Sequence, residues 1–399
     1  MLLSKKVNNI AFCMDSEQTS VSSNGYGFLW YFLKLTGIDV FGSHEGEKTK
    51  NQHDLTQKCC EKIFPFLLHL NQIYVLVTSL FLVIQEKAYA EIVASFTVVN
   101  LFSFVVWHIV YRSKNNVKSL IFEANRSLLI LHKERKSYSM FINLCLILSM
   151  LIPIASATTS AFFMDNAPGA HRRYYSLFVN FSGLNAFLIR CIFAQLTYTF
   201  MLSFPCCISV MCASLYYQCS CVFVSFNAFL MDTHKGIAPL HKILKLMDVY
   251  QLLHDLAQKT EEILSPITFV LLCSQLLSMY TALANFVIFK NQDQFYAIVW
   301  HCLAAITIVP AVLIGIILCA GRISCQARLI HTNLQQIHNT LIRKSEDNWE
   351  SVLLVRSMMM TEFPVMTAAN IMDLKHGVIL SVFGTLFTYG LLIININRP

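Results

Sequence analysis

The sequence predicts an all-α, polytopic membrane protein with seven transmembrane helices, a cytoplasmic N-terminus and an extracellular C-terminus. Three observations carry this. Of its 399 residues, 55% are hydrophobic and 13% charged, whereas soluble domains carry about a quarter charged residues. The apolar residues gather into seven runs, each long enough to cross a hydrocarbon core at about 20 residues per helix. The basic residues fall on alternate sides of those runs.

Residues 1–62 form a polar, cytoplasmic N-terminal segment. Lys5 and Lys6 are followed by no apolar run, so no cleavable signal peptide is expected and the first span serves as the insertion signal. Within this segment Tyr26 to Leu35, with Phe28, Trp30, Tyr31 and Phe32, is too short to span. It reads as an interfacial or protein-packed helix. Residues 63–396 form one seven-helix domain, with spans at about 63–84, 88–111, 139–163, 183–211, 265–289, 295–320 and 377–396. The fourth exceeds the length needed and contains Pro205, which predicts a kink or a projection beyond the membrane.

Charge sets the orientation. The segments before span one and between spans two and three, four and five, and six and seven hold 24 of the 30 Lys and Arg. The alternate set holds five, and Arg190 lies inside span four. The side rich in Lys and Arg is the cytoplasmic one. The net charge of +7 thus reflects membrane orientation, and no nucleic-acid partner is expected. On the inner side, 236–264 repeats Leu240, Ile243, Met247 and Leu256 at helical spacing, and 321–362 repeats Ile323, Ile330, Leu334 and Leu341. These helices either pack within one subunit or gather with those of neighbouring subunits as an anchor beneath a pore. On the outer side, Met164 to Ser182 is the longest loop and carries the sequon Asn180-Phe181-Ser182, a glycosylation candidate. The sequon at Asn125 lies inside and stays bare.

Catalytic chemistry has little to stand on. The fourteen cysteines show neither zinc-site nor CxxC spacing and read as reduced, small apolar residues. There is no GxSxG, HExxH or phosphate-cradling glycine loop, and Glu91 is a lone acid near the outer end of span two. The reading is therefore no enzyme, no metal and no cofactor. Arg190 is the one basic residue within a span; it contacts either a polar ligand or a structural partner. Asn185, Tyr280, Asn285, Tyr296, Trp300 and His301 lie at similar depth on spans four to six, and aromatic and hydrogen-bonding groups there suit a small organic ligand.

The last run, Gly377 to Ile396, has a further property. At about 100° per residue, Gly377, Ser381, Gly384, Thr385, Thr388, Leu392 and Asn395 fall within a sector of roughly 100°. A face of small, hydroxyl and amide groups either packs closely on another helix or lines water.

The end of this helix resembles a known signature. Thr388-Tyr389, then five apolar or small residues, then Asn395-Ile396 is similar to the TY-five-hydrophobics-QF ending of arthropod gustatory receptors. Ala368 to Leu374, running into Val378-Ile379-Leu380, looks like the family's approach to that helix. Phe32-Leu33-Lys34-Leu35-Thr36-Gly37 and the seven-helix topology extend the resemblance over most of the chain. Asn395 stands where the family has Gln and Ile396 where it has Phe. The resemblance implies a plasma-membrane, ligand-gated nonselective cation channel, related to insect odorant receptors. Four like or unlike subunits would surround a pore lined by the last helix. Leu392 would form the gate, Asn395 would lie near the constriction, and Ser381, Thr385 and Thr388 would lie along the same face. Its partners would be a small-molecule tastant, permeant cations and lipid. The alternative is a G-protein-coupled chemosensory receptor. That reading needs an outside N-terminus, which puts the 24 basic residues on the wrong side, and it lacks DRY-like and NPxxY-like motifs.

Overall fold

In hydrocarbon every backbone N–H and C=O has to be satisfied within its own segment, so apolar runs of this length fold as helices. The computed structural model describes residues 29, 33, 34, 36, 38, 53–85, 90–131, 139–163, 183–234, 239–288, 295–344 and 349–396. In chain order the helices are α1 (His53–Gln85), α2 (Ala90–Ile130), α3 (Ser139–Phe163), α4 (Gly183–Tyr198), α5 (Phe204–His234), α6 (Leu240–Ile288), α7 (Phe295–Lys344), α8 (Trp349–Met360) and α9 (His376–Ile396). Among the described residues six apolar stretches are long enough to cross a membrane; they lie on α1, α2, α3, the α4–α5 rod, α6 and α7, and α9 is a shorter apolar helix. The fold is nearly all helical, with one departure from the all-α expectation. Thr367–Ala368 and Met372–Asp373 pair as a two-residue antiparallel hairpin between α8 and α9.

Helix length shows where the chain leaves the apolar layer. The 50 residues of α7 extend about 75 Å, more than twice a hydrocarbon core of about 30 Å. The 49 residues of α6 and 41 of α2 do the same. The amphipathic segment after Leu240 and the span ending near Ile288 are thus one continuous rod. Polar links sit on these extensions. Lys259 of α6 pairs with Glu123 of α2, Asn333 of α7 donates to Asn227 Oδ1 of α5 at 2.6 Å, and Arg322 lies 5.1 Å over the Tyr217 ring.

The central element is α5. Phe204, Met211, Tyr216, Phe223, Phe226 and Leu230 bury successive turns of it against α2, α6 and α7. Its buried serines donate within the helix, Ser209 to Pro205 O at 2.8 Å and Ser225 to Cys221 O at 2.9 Å, and Ser209 Oγ also accepts from Gln275 Nε2 of α6. By contrast α1 and α3 expose Phe66, Ile73, Leu80, Leu144, Leu151 and Phe162, a surface for lipid rather than water.

The effect of Pro205 is local. Between α4 and α5, Thr199–Ser203 forms a π-helical turn in which Phe204 N–H reaches Thr199 O. Proline offers no N–H and its ring crowds the carbonyl four residues back, so the backbone opens by one residue. Near the start, Leu29, Leu33 and Ile38 are buried and Trp107 Nε1 donates to Thr36 O at 3.2 Å. The described part of the segment expected as an interfacial or protein-packed helix therefore packs on protein. Phe28, Trp30, Tyr31 and Phe32 lie outside the described residues.

Candidate functional site

The stripe on α9 takes a definite direction. Val382 and Leu386 are buried beside Met279 of α6 and Ile308 and Val309 of α7. Gly390 approaches α6 so closely that a Cβ there would lie 3.1 Å from Leu283 Cδ2. On the other side Gly377, Ser381, Gly384, Thr385, Thr388, Leu392 and Asn395 are exposed, about 150° around the helix from the packed edge. A Cβ at Gly377 or Gly384 would meet nothing within 4 Å, so the chain's own packing gives no reason for glycine at either position. Thr385 donates to Ser381 O at 2.7 Å and Thr388 to Gly384 O at 2.8 Å. With their hydrogens committed inward, these hydroxyls present oxygen lone pairs outward, an arrangement that suits cations.

The second group of candidate residues is spread over α4, α6 and α7, with α3 packed against α4 and α7. Arg190 of α4 is 1% exposed. Below it, Tyr198 Oη and Ser160 Oγ of α3 form a buried 3.0 Å hydrogen bond. On α6, Ser278, Thr281 and Asn285 fall on one face at spacings of three and four and are all buried. Among the described residues, Ser278 Oγ, Asn285 Nδ2 and, on α4, Thr197 Oγ1 have no hydrogen-bond partner, which suits groups that meet water or a polar ligand. The candidates do not form one cluster. Asn185 and Trp300 are exposed, and Tyr280 stacks edge-on to Tyr389 of α9 at 5.1 Å. Tyr296 and His301 lie on α7, with side chains outside the described set, as is Asn180. Sequence reasoning missed the Ser160–Tyr198 pair, Thr197 and Ser278. A helical spacing of hydroxyls and amides, 278-281-285, was the available signal. Elsewhere, a shallow apolar groove lies on the extended parts of α2, α5 and α6, lined by Ile130, Val222, Phe226, Val249 and Leu253. Its cavity volume of about 10 Å³ is room for about one water molecule and far below that of a ligand pocket. Among the described residues no group of His, Cys, Asp and Glu is arranged to hold a metal.

No family model matches the sequence, and no curated protein matches it. Solved structures do. The olfactory receptor OR5 of the insect Machilis hrabei, in complex with eugenol, superposes with a TM-score of 0.65 over 92% of this chain and 97% of that one, at 12% identity. The chain has the insect olfactory receptor fold. A second OR5 structure superposes with a TM-score of 0.60 and 15% identity over the same shares of both chains. At such identity the olfactory-receptor fold is shared while the side chains lining its interior are this chain's own.

Proposed function

We propose that this protein is a chemosensory receptor of the gustatory type, acting as a ligand-gated nonselective cation channel in the plasma membrane. The observation that carries the reading is the outward stripe of α9, opposite the edge by which that helix packs on its own bundle. Four copies, or copies with a related subunit, surround an axis with α9 innermost as the seventh span. Gly377, Ser381 and Gly384 allow close helix approach, Leu392 closes the pore by dewetting, and Asn395 forms a polar ring. Asn is one methylene shorter than the Gln of the signature, so this ring is wider or differently spaced. The N-terminus lies in the cytoplasm and the C-terminus outside, as the basic residues require.

The fold shared with a receptor solved in complex with eugenol supports a small organic ligand here. For this chain we assign it to the outer half, near Arg190, Tyr198 and Asn285, and read it as a tastant. It opens the pore only by binding the open arrangement more tightly than the closed one. The extensions of α6 and α7, with α8, form the anchor. The test is electrical. In cells expressing the chain, Leu392→Ala raises basal current and Asn395→Ala changes relative cation permeability, whereas Val378→Ala, on the packed side, leaves both as they are. Wild-type currents in both pore variants would remove α9 from the conduction path.

A further inference from the structure

The segment between α8 and α9 is fastened to α6 in an unusually directional way. Both carboxylate oxygens of Glu261 accept from one residue: Oε2 from the Thr367 backbone N–H at 2.9 Å and Oε1 from the Thr367 hydroxyl. One turn on, Ser265 Oγ accepts from Ala369 N–H at 2.8 Å. The hairpin so held turns through Ala369 and Asn370 at φ 53° and 56°, a left-handed conformation that residues with a Cβ adopt only at a cost. From there to α9 there is no slack. Leu374 N–H donates to Met366 O at 2.9 Å, Met366, Ala368 and Leu374 are fully buried, and α9 begins at His376. The His376 ring abuts α7, since a Cβ on Gly321 would lie 3.3 Å from His376 Cε1.

Higher up, α6 touches α9 differently. Met279 shares an apolar cluster with Val382 and Leu386, and Tyr280 meets Tyr389 ring edge to face. Apolar contacts are non-directional and allow sliding, whereas a carboxylate accepting two hydrogen bonds fixes both distance and direction. The lower end of α9 is therefore pinned by hydrogen bonds, while its upper part is held by apolar and aromatic contacts. The pin also sits at a weak point of α6: Pro266 follows Ser265 and deprives the carbonyl of Glu262 of its helical N–H.

We propose that this hairpin is the link through which α6 sets the position of α9, with Glu261 as the positioning residue that fastens it. The proposal rests on the channel reading of α9. A shift of α6 around Pro266 reaches the pore helix through Thr367, not through the apolar contacts above.

The test uses the full chain purified into lipid nanodiscs, so delivery to the cell surface does not enter. The probe is the labelling rate of a Thr388→Cys variant by a charged methanethiosulfonate, read at that position over the native-cysteine background. Adding Thr367→Val, which keeps shape but removes the hydroxyl, changes the rate severalfold. Adding Glu261→Ala changes it in the same direction, and the two together do no more than one alone. Thr367→Ser restores the original rate, which a merely bulk-packing role would not require. Unchanged labelling in Thr367→Val and Glu261→Ala, or additive effects of the two, overturns the proposal. Cation flux in liposomes made from the same protein separates this from the channel reading. Flux with unchanged labelling sinks the link alone, and altered labelling without flux sinks the channel while the link stands.

Discussion

At Ala369 a methyl group occupies a backbone region with φ 53°, where L-residues lose roughly 1–2 kcal/mol. Replacing it with glycine removes that strain but frees the unfolded chain, which costs about 0.4–1 kcal/mol. The first effect is the larger. Ala369→Gly is expected to stabilise the fold by about 0.5–1 kcal/mol, seen as a higher thermal midpoint in detergent. Asn370, with its short polar side chain, tolerates the same conformation, and its N–H donates to Thr367 Oγ1 at 3.1 Å. The turn was not legible in the sequence because Ala-Ala-Asn-Ile-Met carries neither Gly nor Pro, and strands of two residues are too short to show alternation. Arg190 was legible as a lone charge in an apolar run, and it is buried, as the cost of exposing a charge to lipid requires. Ser278 and Thr197 look like ordinary helix residues until neighbouring helices leave their hydroxyls without partners among the described residues.

Among elements, α5 and α9 are opposites, and the difference sets what a substitution costs. Phe223 is fully buried within the packed rod, so Phe223→Ala is expected to cost about 3–5 kcal/mol, measured by unfolding in detergent. Phe387 of α9 is 70% exposed, and Phe387→Ala changes a single chain's stability by no more than about 0.5 kcal/mol. Gly390 packs closely against Leu283 of α6. Gly390→Val forces the two apart, costs about 1–3 kcal/mol, and disturbs the Tyr280–Tyr389 contact, which a shift in tyrosine fluorescence reports. The apolar runs announced the helices, because the bilayer leaves few alternatives. Their true lengths were less visible: α6 and α7 become polar on one face once they leave the apolar layer, and a change of face reads in sequence like a change of element. That α5 is central depends on which helices surround it, and composition does not specify neighbours.

For the whole molecule, the proposed orientation rests on charge and is open to a direct check. An epitope tag at the C-terminus is expected to stain without permeabilisation and one at the N-terminus only after it; a C-terminal tag reached only after permeabilisation would invert the proposed topology. The general plan of apolar helices was readable because each span and each basic loop is a local property. The way those spans close on one another, leaving the stripe of α9 outward, is a property of packing and emerged only in three dimensions. The π-helical turn at Thr199–Ser203 carries a separate consequence. One residue added to a helix rotates everything beyond it by about 100°, so this turn lets the rod hold α5 in one phase for the central core while α4 presents another. Adding or deleting a single residue there is expected to swap which side chains of α4 face the interior and to leave the α5 core in place.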